Sequence, residues 1–412
     1  MVAGSTPSTE DGSFWLEGDD PCGTPFVAIA DMSRRERVSS TAKSLSLEGL
    51  KSRSMPVGQP GTLLFAMYAS VGEVAFLDIS ATWNQALLGI TPDPGKVDSR
   101  FLRYVLLDMR DDLLRDVRSN TQSNLNARQV GDIWFQRPPL PEQQAIANYL
   151  DRETARIDTL IEEQQRLIET LHERRNAVII GATTEGLTSR TPLVKSGRGP
   201  LWDALPDGWL AGQIKNAATV TLGKMLQSND TGSDVRAPYM RAANVQPDGV
   251  LALDDVNEMW FSTAELEKLS IQTGDVIVVE GGQGGFGRAA HVDKDLPGWG
   301  FQNSINRLRP TENFDGRYIA FYLIALRASG FIRAYSNVVS MPHLTAEKLA
   351  RIPMPLPPLE DQRAIADHLD EQTAKIDTLI AEAEQFIHLS KERRSALITA
   401  AVTGQIDVRE MM

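Results

Sequence analysis

"PPLPEQQAIANYLDRETARIDTLI", residues 138–161, returns as "PPLEDQRAIADHLDEQTAKIDTLI" at residues 357–380, an offset of 219 positions. The two stretches agree at 16 of 24 positions without a gap, and Glu173-Arg174-Arg175 returns as Glu392-Arg393-Arg394 at the same offset. The chain therefore carries an internal duplication, and the duplicated element decides the plan of the rest. Paired prolines disfavour helix before each copy and permit it directly after. Behind them, seam positions alternate by four and three from Leu150 to Val178 and from Leu369 to Leu397, with Leu150, Ile157, Ile161, Ile168 and Leu171 among them in the first copy and Leu369, Ile376, Ile380, Ile387 and Leu397 in the second. That heptad spacing predicts a seam between two helices. Leu160, Leu167 and Leu379 widen the stripe so that each helix can face more than one neighbour. Independent amphipathic core helices are the plainer reading, but they give no reason for Asp158-Thr159 and Asp377-Thr378 to stand in register. A helix from Glu142 to Ile179 is about 57 Å long at the α-helical rise, enough to hold two domains apart.

A chain of 412 residues is long for a single core and suggests two or three domains. The lone Cys22 excludes an internal disulfide. Neither a long apolar run nor a signal-peptide pattern occurs, so the expectation is a soluble, cytoplasmic protein with no membrane partner. A net charge of −12 argues at first against nucleic acid. The two repeated segments, 138–186 and 357–412, hold −9 of that −12, which leaves the intervening stretches near neutral and free to carry local basic patches.

Those intervening stretches also repeat, more weakly. "TPFVAIADM" (24–32) parallels "APYMRAANV" (237–245), and "GQPGTLLFAMYASVGEVAF" (58–76) parallels "IQTGDVIVVEGGQGGFGRAA" (271–290). Both pairs read as strands with turns. "WNQALLGITP" (83–92) matches "FQNSINRLRP" (301–310), and "SRFLRYVLLDM" (99–109) matches "GRYIAFYLIAL" (316–326), the last as a helix. The expected order is domain 1–137, helix 138–186, domain 187–356, helix 357–412. The helices barely differ while the polar loops diverge, and loops on a rigid scaffold are where recognition usually lives.

On these residues the chain resembles the DNA-specificity subunit of a type I restriction-modification system, over essentially its whole length. The most specific parts are the two proline-led helix starts and "LPDGW" at 205–209, which resembles the entry to a target-recognition domain. The resemblance implies an α/β fold of two similar target-recognition domains separated by two long antiparallel helices with an internal pseudo-two-fold repeat. It implies a non-catalytic subunit without a cofactor that reads a bipartite, asymmetric site, one half per domain. The implied partners are double-stranded DNA, two methyltransferase subunits docked on the helices, and a restriction (translocase/nuclease) subunit. Gly4 aligns with Gly223, so the first domain is expected to lack a counterpart of residues 205–219.

Candidate DNA contacts are the cluster Arg34, Arg35, Arg37 and Lys43 in the first domain, and Lys224, Arg236, Arg241 and Arg288 in strand-end loops of the second. Loop arginines and lysines meet phosphates, and Arg can read guanine bidentately. The alternative is solvated surface charge. "GQGGFG" at 282–287 fits G-x-G-x-x-G after a strand, but "RAAHVD" follows as another strand where a nucleotide site needs a helix. A β-turn is the expectation. Asn120, Gln122 and Asn124, with Asn337, Ser340 and His343, fit helix capping or adenine reading, capping being preferred. The five histidines are scattered without a cysteine partner, so no metal or catalytic constellation is expected. Two other classes stay open here: a DNA-modifying enzyme with unfamiliar motifs, and a coiled-coil interaction protein without a DNA role.

Overall fold

The computed structural model describes every residue except 34, 69, 120–123, 188–192, 195–198, 283–284, 337–342 and 409–412. It divides into two compact units, Met1–Gln165 with Gln385–Met412, and Arg166–Glu384. Each unit thus holds one globular part and one half of each long helix.

In the first unit the strands are β1 Val2–Ala3, β2 Trp15–Glu17, β3 Thr24–Val27, β4 Arg37–Val38, β5 Lys43–Leu45, β6 Leu63–Ala66, β7 Val74–Leu77, β8 Thr82–Trp83 and β9 Leu87–Ile90. They form two sheets, ordered β1-β9-β6-β7-β4 and β2-β5-β3-β8. The helices are α1 Ile29–Met32, α2 Leu47–Ser52, α3 Ser99–Asp108, α4 Arg110–Ser119, α5 Ala127–Gly131 and the first half of α6 Leu140–Glu185. The all-apolar run of β6 is explained by burial on both faces. Leu63 and Phe65 join Leu102 and Leu106 of α3, while Leu64 and Ala66 face Val27 and Trp83 of the second sheet. This is the two-residue alternation of a strand between two layers.

The second unit holds β10 Leu193–Val194, β11 Leu205–Pro206, β12 Leu210–Gln213, β13 Ala218–Leu222, β14 Val235–Met240, β15 Asn257–Phe261, β16 Val276–Val279, β17 Ala289–His291, β18 Gly300–Phe301, β19 Ile305–Pro310 and β20 Pro353–Leu356. Its helices are α7 Ile214–Ala217, α8 Thr263–Lys268, α9 Gly316–Ala328, α10 Phe331–Tyr335, α11 Ala346–Ala350 and the first half of α12 Leu359–Val402. The sheet β13-β19-β16-β17 repeats β1-β9-β6-β7, and β14 runs parallel to β18 as β3 does to β8. Val276 and Val278 pack with Tyr318 and Tyr322 of α9, while Ile277 and Val279 face Tyr239 and Phe301. The internal repeat is therefore one of topology and of burial, down to the alternation within one strand.

Strand β17, antiparallel to β16, follows "GQGGFG" in place of the helix a nucleotide site needs, and of its described residues Gly282 at φ +113° and Gly287 at φ +72° take backbone space that favours glycine. The caps of α5 and α11 are residues other than the described candidates Asn124 and His343. Asn126 caps α5 on Gln129 N–H and Thr345 caps α11 on Lys348 N–H. His343 instead bonds Glu280 at 3.0 Å, and residues 120, 122, 337 and 340 lie outside the described residues.

The long helices pair in both units. In the first, Ala145, Ile146 and Leu150 share a core with Ile398, Ala401 and Val402 and with Phe101 and Tyr104 of α3. In the second, Leu171 packs on Ile376 and Ile380, and Ile179 shares a core with Ile365 and Leu369. Rising numbers on α6 meet falling numbers on α12, so the helices run antiparallel in each unit. Ile157, Ile161 and Ile387 are buried too, whereas Ile168 and Leu397 are half-buried, Ile398 taking the deeper place beside Leu397. Thr154 and Thr373 sit in the seam with their hydroxyls donated to the carbonyls of Leu150 and Leu369, both at 2.7 Å. That back-bond lets a polar side chain lie in an apolar seam.

Candidate nucleic-acid interface and the joints that carry it

Each globular part is fastened to its helix half by the same polar joint. Gln143, fully buried, accepts Asp98 N–H at 2.9 Å and donates to the carbonyls of Lys96 (3.0 Å) and Pro138 (2.8 Å). Gln362, 219 positions on, accepts Asp315 N–H at 2.9 Å and donates to Asn313 (3.2 Å) and Pro357 (2.8 Å). Asp98 and Asp315 then cap α3 and α9 through Arg100 N–H and Arg317 N–H. Arg100 reaches Asn148 (2.8 Å) and Asp151 (3.0 Å), and Arg317 reaches Asp367 (2.7 Å) and Asp370 (2.9 Å). Burial works against the Arg317 charge, but its hydrogen bonds to Asp315, Asp367 and Asp370 outweigh that and hold its pKa above the usual arginine range. His291, behind this joint, is pushed below its ordinary value by burial. Burial also raises the Tyr104 hydroxyl, which donates to Asp151, to about 12. These joint residues escaped the sequence reading as sites. The available signal was identity of polar residues: Gln143 and Gln362, with Asp151 and Asp370, at the 219 offset, and Asp98 and Asp315 at an offset of 217.

The candidate DNA-contact residues are dispersed: Arg37, Lys43 and Arg236 stand on strands β4, β5 and β14, Arg236 within its strand rather than in the strand-end loop expected, and the other described candidates lie in loops. Arg34 lies outside the described residues. Arg35 is exposed beside Glu36, Arg103, Asp158 and Arg394, lining a cavity of about 260 Å³. Arg37 pairs with Asp78 at 2.6 Å, and Lys43 lies over the Trp15 ring at 5.4 Å. In the second unit Lys224 pairs with Glu265 against the Phe261 ring, and Arg288 donates to the Val245 carbonyl at 3.2 Å. Arg241 pairs with Asp255. Arg236, paired with Glu258 at 3.1 Å, borders an open groove of about 810 Å³ with Gln227, Tyr239, Asn257 and Trp260. The loop leading into that groove exposes Met225 and Leu226, and Asp234 fixes it by accepting from Gln227, Thr231 N–H and the Thr231 hydroxyl. It offers amides, an arginine, an aromatic ring and apolar tips, the groups that meet base edges.

The profile of the type I restriction modification DNA specificity domain matches residues 2–170 and again 206–385. The chain belongs to that family. Among curated relatives, the StySPI specificity subunit of Salmonella potsdam is 27% identical over 206 residues, 49% of this chain and 44% of that one. The EcoKI specificity subunit of Escherichia coli K12 is 26% identical over 209 residues, again 49% and 44%. The chain thus spans under half the length of these two. The MjaVIII specificity subunit of Methanocaldococcus jannaschii is 21% identical over 383 residues, 88% of this chain and 83% of that one. Among solved structures, a chain from a study of complex assembly and conformational transition in the type I R-M system superposes at TM-score 0.69, with 17% identity and coverage of 98% and 96%. The HsdS subunit of Thermoanaerobacter tengcongensis gives 0.52, with 16% identity and coverage of 95% and 97%. Both are likenesses of fold to this specificity-family chain. No helix among the described residues is long and apolar enough to cross a membrane.

Proposed function

We propose that this chain is the DNA-reading, non-catalytic subunit of a type I restriction-modification complex in the cytoplasm. Residues 1–137 and 187–356 act as target-recognition domains, each reading one half of a bipartite, asymmetric site in double-stranded DNA. The observation that carries this reading is the repeated joint: Gln143 with Asp98 and Gln362 with Asp315 fasten two scaffolds of one topology, whose loops share almost nothing. Equal mounting with unequal loops suits a molecule that reads two different sequences. Arg35, Arg37, Lys43, Lys224, Arg236, Arg241 and Arg288 supply phosphate or base contacts, their internal carboxylate partners yielding to DNA where they are exposed.

The helices dock methyltransferase subunits, two by the repeat, which supply the chemistry. In support, Leu160 and Leu379 are 36% and 48% exposed, as are their neighbours one heptad on, Leu167 at 44% and Phe386 at 41%. Apolar residues repeated on helix faces that neither helix of the pair covers fit a protein partner. A restriction subunit joins through the same complex. The test is co-expression with a type I modification subunit, followed by long-read mapping of methylated bases in the host genome. A bipartite motif with a fixed gap is expected. Methylation without a motif, or a motif unchanged when this chain is omitted, sinks the proposal.

A further inference from the structure

We infer that Arg175 is a positioning residue for the second half-site, tying a recognition-domain hairpin to the helix pair. The inference rests on the reading that the second unit contacts DNA. The Arg175 side chain is 9% exposed, with Nε 3.0 Å from Asp377 Oδ1 across the helix seam. Its Nη2 donates to the backbone carbonyl of Asp248 at 2.9 Å. Asp248 stands at the tip of a small hairpin in which Gln246 N–H meets the Val250 carbonyl at 2.9 Å, Ala252 N–H meets Asn244 at 2.8 Å, and Gly249 takes φ +91°. At the hairpin base, buried Asn244 accepts Arg241 N–H at 3.0 Å and donates to the carbonyls of Ala252 and Asp255. Arg241, a candidate DNA contact, closes onto Asp255. A bonded path therefore runs from the helix seam through Arg175 to the loop that would meet DNA. A guanidinium suits this post, since it always carries charge and offers donors in a rigid fork, Nε facing Asp377 Oδ1 while Nη2 serves the Asp248 carbonyl and reaches Asp377 Oδ2 at 3.5 Å.

The first unit supplies an internal control. Arg394 and Asp158 repeat the seam pair at 2.9 Å and the 219 offset. Aligning β3 with β14 places Arg35 where the second unit has Asp248. Among the described residues Arg394 has no acceptor in that loop, and Arg35 lines the same cavity instead. The seam pair is common to both units, while the tie from helix to hairpin belongs to the second alone. Loss of the pair and loss of the tie can therefore be separated.

The experiment reconstitutes the full chain with methyltransferase subunits and measures methylation kcat/KM on duplexes with the native gap, with the gap changed by one base pair, and with altered second half-sites. Arg175→Met keeps the aliphatic stem and removes the tie. It is expected to lower discrimination against altered gaps and second half-sites by about tenfold, the scale of one charged hydrogen bond, with first half-site discrimination unchanged. Asp377→Asn and Arg394→Met remove a seam pair alone and should keep discrimination even where thermal stability falls. Arg175→Lys, a milder change that lacks the second donor branch, should relax discrimination as Arg175→Met does. Unchanged discrimination in both Arg175 variants, or equal relaxation in all four, overturns the inference. A wild-type complex indifferent to gap and half-sites would instead refute the DNA-reading proposal beneath it.

Discussion

Gln362 accepts the Asp315 N–H at 2.9 Å, and through that one bond the first turn of α12 sets the start of α9. The same amide group donates to Asn313 and Pro357, so a fully buried side chain satisfies three backbone groups, two in the loop before α9 and one just ahead of its own helix. Glutamate could accept but not donate, and leucine could do neither. This accounts for the one glutamine common to "PPLPEQQ" and "PPLEDQR".

Gln362→Leu should therefore destabilise the second unit by on the order of 3 kcal/mol, because buried backbone donors and acceptors lose their partners. Gln143→Leu should do the same to the first unit. Denaturant unfolding of the full chain, followed through tryptophans of each unit, reads both. A loss below about 0.5 kcal/mol, the range of an ordinary surface change, would mean that the joint is ornamental.

The exposed apolar positions of the helices make a second, opposite forecast. Leu167→Asp and Phe386→Asp alter residues 44% and 41% exposed, so folding stability should shift by no more than about 0.5 kcal/mol. Affinity for the methyltransferase subunit should drop tenfold or more if these residues are anchors, for which truncation typically costs about 2 kcal/mol. Titration calorimetry with the purified subunit distinguishes the cases, and unchanged affinity removes the helices as a docking face.

Much of this architecture was legible in the sequence because duplication prints it twice. The apolar run "VIVV" and its counterpart "LLFA" marked strands buried on both faces, and the heptad positions Leu150, Ile157 and Leu369 found the seam. What escaped were polar roles that depend on distant partners. Nothing local in "DSRF" or "DGRY" says that Asp98 and Asp315 will be held by glutamines 45 and 47 positions away. The basic candidates were the least legible. Whether Lys224 reaches DNA or stays on Glu265 depends on loop geometry, and a residue type does not encode that.

The proposed two-headed reading predicts that the helix pair sets the gap between the half-sites, and a register argument shows how to test it. The boundary between the compact units falls between Gln165 and Arg166 on α6, and between Glu384 and Gln385 on α12. Four helix-forming residues inserted after Gln164 and four more after Ala383 lengthen both helices by about 6 Å. The pairs Asp158–Arg394 and Arg175–Asp377 each lie wholly within one unit, so the double insertion leaves both intact. At about 3.4 Å per base pair the recognised gap should grow by close to two base pairs, with both half-sites unchanged. Insertion in one helix alone lengthens one strut against a partner of the old length. It forces either a bulge or a slip of the seam, and should lower stability without yielding a clean longer gap. Methylome mapping of the two variants separates these outcomes. An unchanged gap in the double insertion would show that spacing is set by the recognition domains and their partners, and the helices would keep only their docking role.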